Sequence, residues 1–196
     1  MPIDIPPQVY ERVTCSISAA AKYQIPANIV LAVAEKENGK PGQWVRNDNG
    51  THDVGTLQFN TAYLRELARY GIVPADVAAA GCYPYELAAW RLRKHITKDP
   101  GDLWTRAANY HSRTPRFNEA YRADLMERAA RWADWLAARY PTHEISAARA
   151  GTSRQVASPG GASGNLQSLD QRRPAELEHW KAAAYVPRKL LVLGQP

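Results

Sequence analysis

Residues 34–39, Ala-Glu-Lys-Glu-Asn-Gly, put two acids in the last turn of an apolar run and stop that run at an Asn-Gly pair. Successive helical residues are about 100° apart. Glu37 follows Val33 by four residues, Ala34 by three and Val30 by seven, so it lies along the stripe those residues define. Glu35 follows Leu31 by four and Asn28 by seven, which turns it towards a mixed face. A carboxyl on an apolar face loses hydration, and this raises its pKa by disfavouring the charged form. An acid kept protonated near neutral pH can deliver a proton to a leaving group. A plain surface acid is a poor alternative, because negative charge at a helix C-terminus opposes the macrodipole. Glu37 is therefore the expected catalytic acid.

The segment after it is polar and rich in glycine. Residues 45–60, VRNDNGTHDVGTLQFN, contain Asn47, Asp48, Asn49, Thr51, Asp53, Gln58 and Asn60, with Gly50 and Gly55 allowing close backbone approach. The calcium-loop spacing D-x-[DN]-x-[DN]-G-x5-E is absent, so no metal site is expected. Dense amides and hydroxyls beside an aromatic such as Trp44 suit a sugar, which needs many hydrogen bonds and a stacking face. A turn-rich loop that satisfies its own backbone is the plainer alternative. No helical period survives between residues 38 and 60, so an irregular loop of functional character is expected there.

The rest of the first 140 residues is patterned as helices. Apolar spacing predicts them over residues 8–25, from 27 to the Glu37 turn, over 61–72 with Gly71 as C-cap, and over 85–96, 101–112 and 117–140. In the last of these, Tyr121, Leu125, Arg128, Trp132, Trp135 and Leu136 form a stripe. Trp104, Trp132 and Trp135 read as core residues. Residues 1–140 form one domain in this reading, 141–178 have the composition of a flexible linker, and 179–196 are a tail that regains apolar residues.

The net charge of +6 and pI near 9.4 favour polyanionic surroundings. The arginines are scattered through helical patterns, however, as on a solvated surface. No helix-turn-helix, zinc or RNP motif accompanies the charge, so nucleic acid is not an expected partner. No apolar run reaches the roughly 20 residues that span a bilayer. The first residues lack the pattern of a signal peptide, which suits either a cytoplasmic protein or a mature exported chain. Cys15 and Cys82 make no CxxC motif; one disulfide and two buried thiols both remain open.

Three motifs in order then define a resemblance: Glu37-Asn38-Gly39 with Asn49-Gly50, Asp53-Val54-Gly55-Thr56-Leu57-Gln58-Phe59-Asn60, and Tyr110-His111-Ser112. Over roughly residues 10–125 the chain resembles the lysozyme-like lytic transglycosylases, in particular the small specialised enzymes of conjugation, type IV secretion and pilus systems. The resemblance implies a single, mostly helical lysozyme-like domain of the all-α kind with a catalytic cleft. It implies Glu37 as the acid of a lyase that cuts peptidoglycan between N-acetylmuramic acid and N-acetylglucosamine, leaving a 1,6-anhydro end without a cofactor. Gln58, Gly55 and Asn60 would contact substrate, Tyr110 would orient the acid or the sugar, and Trp44 and His111 would line the cleft. It further implies a Cys15–Cys82 disulfide and a periplasmic mature protein, with peptidoglycan strands as substrate and apparatus proteins reached through the tail. Three positions depart from the pattern: Asn38 for Ser or Gly, Thr56 for an apolar residue, and His111 for Asn. Two rivals remain: a hydrolytic muramidase with Asp53 or Asp48 as second carboxylate, and a non-catalytic glycan-binding assembly protein.

Overall fold

A computed structural model of the chain describes residues 7–140, 142–144 and 188–190. Helix α1 (Pro7–Tyr23) leads through Pro26 into α2 (Ala27–Glu37), and every residue of α2 from Ala27 to Ala34 is buried. A helix that is apolar on all sides has to be enclosed by others. The enclosing partners are α1, α5 (Tyr83–Lys98) and above all α7 (Pro115–Ala137). The inward face of α7 carries Tyr121, Leu125, Ala129, Ala133 and Leu136. Its two alanines let the helices approach closely, and the buried Asn28 Nδ2 donates to the Ala129 carbonyl at 3.2 Å.

Between α2 and α5 the chain forms a small sheet where the sequence suggested an irregular loop. Strands β1 (Trp44–Arg46), β2 (His52–Val54) and β3 (Phe59–Asn60) are antiparallel in the order β1-β2-β3. The register pairs Val45 with Asp53 and Asp53 with Asn60. Strands of two or three residues are too short for an alternating pattern to emerge from the sequence. β1 and β2 are joined by the Asn49-Gly50 turn, closed by Asn47 N–H to Thr51 O at 2.8 Å and by Gly50 in a positive-φ conformation. The chain continues through α3 (Thr61–Leu67), capped by Asn60, a 3-10 turn ending at Gly71, and the short α4 (Pro74–Ala78). Helix α6 (Leu103–Ala108) is shorter than the periodicity over 101–112 suggests and is capped by Asp102. The fold is mostly helical, as expected of a lysozyme-like domain.

A separate two-stranded sheet pairs β4 (Thr142–Glu144) with β5 (Arg188–Leu190). The remainder of the expected linker and tail lies outside the described residues. No described helix is long and apolar enough to cross a membrane.

The tryptophans differ from expectation. Trp104, Trp132 and Trp135 are only partly buried and flank the core, which is filled instead by Leu, Val, Ile, Ala and Phe59. Trp132 packs edge-on to Trp135 and sends its indole N–H to Glu35 at 2.6 Å. A tryptophan ring needs a partner for that N–H, and the boundary of the core supplies one.

Cys15 and Cys82 are bonded, joining α1 to the residue that precedes α5 across 67 positions. Closing a loop of that length stabilises a fold by about 4 kcal/mol in the chain-entropy treatment. Replacing both cysteines by serine is therefore expected to lower the unfolding free energy by about that amount in urea titrations. An unchanged midpoint would contradict this role.

Candidate active site

Three consecutive side chains at the end of α2 all reach α7. Glu35 accepts from Arg128 at 2.6 Å, Arg131 at 3.3 Å and the Trp132 indole. Lys36 pairs with Asp124. Glu37 Oε1 accepts a hydrogen bond from the Tyr121 hydroxyl at 2.7 Å. The two acids thus have opposite environments. Glu35 is neutralised by two guanidinium groups, whereas Glu37 meets a neutral phenol in a partly buried position.

Burial dominates the chemistry of Glu37 and pushes its carboxyl up to about 7. The Tyr121 hydrogen bond and the positive charges of Arg91 and Lys36 pull the other way, and the charge of Asp53 adds to the rise. Desolvation wins, so the group carries its proton over much of the neutral range. Glu37 lines a pocket of about 300 Å³ with Lys36, His111, Phe117, Ala120 and Tyr121. The His111 ring lies parallel to that of Tyr121, with centroids 4.9 Å apart. Burial and the nearby Lys36 lower the pKa of His111, so the neutral imidazole faces the acid's pocket near neutral pH.

Asn38 now has a physical explanation. It is the C-cap of α2 in a left-handed conformation (φ 45°, ψ 29°), its N–H donating to the Ala34 carbonyl and its side-chain oxygen accepting from Arg12 at 2.8 Å. Asparagine is, after glycine, the residue best suited to that conformation. The next residue has no space for a side chain. A Cβ on Gly39 would come within 2.1 Å of the Gly55 carbonyl and 2.6 Å of Gln58 Nε2, and the Gly39 N–H donates to Thr56 O at 3.1 Å. Gly55 (φ 71°) is as confined, with the Val77 carbonyl 2.0 Å from any added Cβ. The motifs at 37–39 and 53–60 therefore interlock backbone to backbone, and this fixes Glu37 against the sheet.

The other expected site residues divide into two sets. Gln58, itself at positive φ, donates to Gly55 O at 2.7 Å beside Gly39. Trp44 is 50% exposed on β1 and meets His52 edge-on. Asn60 is half-buried on the wall of a second pocket, of about 600 Å³, accepting from Ala62 N–H and donating to Thr51 Oγ1 and to Asp53 Oδ1 at 2.8 Å. Tyr110 is buried, and its hydroxyl donates to Leu57 O at 3.1 Å; the phenol on Glu37 is that of Tyr121. Tyr110 thus ties the turn after α6 to the loop carrying Gly55 and Gln58. Sequence reasoning placed Tyr121 only in the α7 stripe with Leu125 and Arg128, and its hydroxyl was the one signal of another role. Arg91 was also missed. It lies over the rings of Tyr63 and Tyr110, centroids 4.2 and 4.6 Å away, and its charge acts on Glu37. Among the described residues no group of three or more His, Cys, Asp or Glu could hold a metal ion.

Part of the sequence is similar to known proteins. The chain is similar to Protein IpgF of Shigella flexneri, 29% identical over 104 residues that cover 53% of this chain and 68% of that protein. It is also similar to Invasion protein IagB of Salmonella typhimurium, 25% identical over 118 residues, 60% of this chain and 71% of the other. No family model matches. Each likeness extends over more than half of the chain, well beyond any one motif.

The raised pKa of Glu37 has a consequence for stability. The folded state holds this proton more tightly than the unfolded chain, so the contribution is complete below about pH 4.5 and is lost as pH rises to about 7. With allowance for partial exposure, the loss is on the order of 2 kcal/mol. Glu37→Gln should accordingly be more stable than the parent at pH 8 by that order and no more stable at pH 4, read from urea midpoints. An equal difference at both pH values would show that Glu37 is ionised normally.

Proposed function

We propose that the chain is a lytic transglycosylase that cuts peptidoglycan strands between N-acetylmuramic acid and N-acetylglucosamine. The observation that carries this reading is Glu37: a carboxyl held near pKa 7 by burial, hydrogen-bonded to Tyr121, at the edge of an open pocket. Such an acid carries its proton at the pH of the cell envelope and can give it up on demand. Protonated Glu37 donates to the bridging oxygen, and the bond from muramic C1 to that oxygen breaks as N-acetylglucosamine leaves with a free hydroxyl. The muramic N-acetyl group stabilises the cationic C1. Glu37, now a carboxylate, takes the proton from the C6 hydroxyl of the same ring while O6 bonds to C1. The 1,6-anhydro ring closes, the acid regains its proton, and no water is consumed.

Other residues serve this step at set places. The Tyr121 hydroxyl stabilises the carboxylate formed after the first transfer. Gln58 and the backbone at Gly55 offer polar contacts to an N-acetyl or hydroxyl group, His111 forms the wall beside the acid, and Trp44 gives a stacking face. Asn60 and Tyr110 hold the loop that presents them. The similarity to IpgF and IagB supports the reading at a coarser level, and IagB is named an invasion protein. The chain would work in the periplasm, opening the wall locally for an export apparatus.

A second reading is favoured by one observation. Asp53 is close enough for its charge to raise the Glu37 pKa, so it could act as the second carboxylate of a hydrolase. The Asn60 amide on Asp53 Oδ1 occupies part of its acceptor capacity. Digestion of purified sacculi separates the two reactions by mass: the lyase product is one water lighter than the hydrolytic one. Anhydro ends are expected, and reducing ends alone would reject the transglycosylase.

The two acids should also separate. Glu37→Gln should lower cleavage by about 10²- to 10⁴-fold. Glu35→Gln should keep most of it at temperatures where the variant is folded. Tyr121→Phe removes a hydrogen bond that favours the charged acid, so its activity should decline at higher pH than that of the parent. A decline shifted to lower pH would contradict this role of the phenol.

A further inference from the structure

A third concavity, of about 250 Å³, shares no residue with the Glu37 pocket or with the pocket that Asn60 lines. Ile72 and Leu87 line it together with the rings of Tyr23, Tyr70, Tyr83 and Trp90 and the carboxylate of Glu86. Tyr83, Glu86, Leu87 and Trp90 come from one face of α5, at positions i, i+3, i+4 and i+7. Tyr23 is the last residue of α1, and Tyr70 belongs to the 3-10 turn after α3. None of them is used in the bond cleavage above.

Large aromatic rings normally pack in a core and find partners for their polar tips. Here Tyr70 is 63% and Tyr83 43% exposed. Among the described residues, no hydrogen bond is made by the hydroxyls of Tyr23, Tyr70 and Tyr83 or by the Trp90 indole N–H, and none of these rings stacks on another. Lys22 lies over the Tyr23 ring at 5.6 Å, Arg69 over Tyr70 at 5.0 Å and Lys94 over Trp90 at 4.9 Å. These cations steady the rings without occupying their polar tips. Glu86, the one acid of the wall, is paired with Lys22. The concavity thus offers apolar ring faces, unused donors and a carboxylate whose charge is already balanced. That combination suits a neutral ligand with apolar faces and a polar rim.

We propose that this concavity is a glycan-holding site, separate from the cleft, which takes an N-acetylglucosamine unit of the wall. The choice of polymer rests on the transglycosylase reading of Glu37, which makes peptidoglycan strands the substrate. A pyranose lays its C–H face on an aromatic ring, and its hydroxyls accept from the tyrosine and indole tips and donate to Glu86. The N-acetyl methyl group packs against Ile72 and Leu87. A proline-rich peptide also docks on aromatic-lined grooves, but its prolines carry no N–H to give to Glu86. A second hold on the strand keeps the enzyme on the wall between cuts, because the tethered cleft rebinds at a raised effective concentration.

The test uses the full chain carrying Glu37→Gln, which leaves sugars uncut. It follows the indole N–H NMR signals of Trp90 and Trp44, with Trp90→Phe and Trp44→Phe to assign them. Tetra-N-acetylglucosamine is expected to move the Trp90 signal saturably, and oligoproline is expected to leave it in place. Tyr70→Ala and Tyr83→Ala replace exposed rings, so the fold is kept. Each should raise the dissociation constant read at Trp90 by about tenfold and leave the Trp44 response as it was. A Trp90 signal that ignores the sugar, that moves with oligoproline instead, or that responds equally in both variants would overturn the site. Binding is read here without turnover, so the two readings fail separately. A parent chain that releases no anhydro ends from sacculi, while Trp90 still responds to the sugar, loses the reaction and keeps the site. Anhydro ends without a Trp90 response do the reverse.

Discussion

The enclosure of α2 is the constraint on which the rest of the structure depends. A helix buried on all sides has to end where its unsatisfied carbonyls can find partners, and Asn38 and Gly39 provide that exit. The last turn still lies against α7, so any side chain there is only partly hydrated. Placing Glu37 on that turn makes a carboxyl that water reaches from the pocket side alone. Its neighbours Glu35 and Lys36 take the ion pairs with Arg128 and Asp124, and this leaves Glu37 with the neutral phenol of Tyr121. Had Glu37 instead gained the guanidinium that Glu35 holds, its charged form would be favoured and the group would be a poor proton donor near pH 7.

The same packing fixes the sheet against the end of α2. Gly39 and Gly55 approach too closely for side chains, and this brings the sheet, Gln58 and Asp53 up to the end of α2. Tyr110 fastens the opposite wall to the same loop, and Arg91 lies beneath, over two tyrosine rings. The Glu37 pocket itself is lined by three stretches of chain: Lys36 and Glu37, His111, and Phe117, Ala120 and Tyr121. The Cys15–Cys82 bond ties α1 to the start of α5.

Much of this was legible because helices announce themselves through periodicity. The positions of Val30, Val33 and Ala34 pointed to Glu37, but Leu31 and Asn28 on the Glu35 side are buried as fully; the two acids differ instead in what α7 offers them, guanidinium groups for Glu35 and a phenol for Glu37. The sheet was not legible, since its strands are shorter than any pattern. Tyr121 was hidden for another reason: its ring obeys the apolar stripe of α7, and only tertiary packing decides that its hydroxyl meets Glu37. Tyr110 lies within a recognisable motif, but that its hydroxyl meets the Leu57 carbonyl depends on a partner remote in sequence. The tryptophans misled because ring size suggests the core, while the indole N–H has to find an acceptor at its edge.

The central claim is that burial against α7 holds Glu37 protonated near neutral pH. Carbon-13 NMR titration of the glutamate side-chain carboxyls, with Glu37→Gln to assign the resonance, tests it without assuming any substrate. A midpoint near 7 for Glu37 is expected, rising further in Tyr121→Phe. A midpoint near the ordinary glutamate value of 4.5 would contradict the claim.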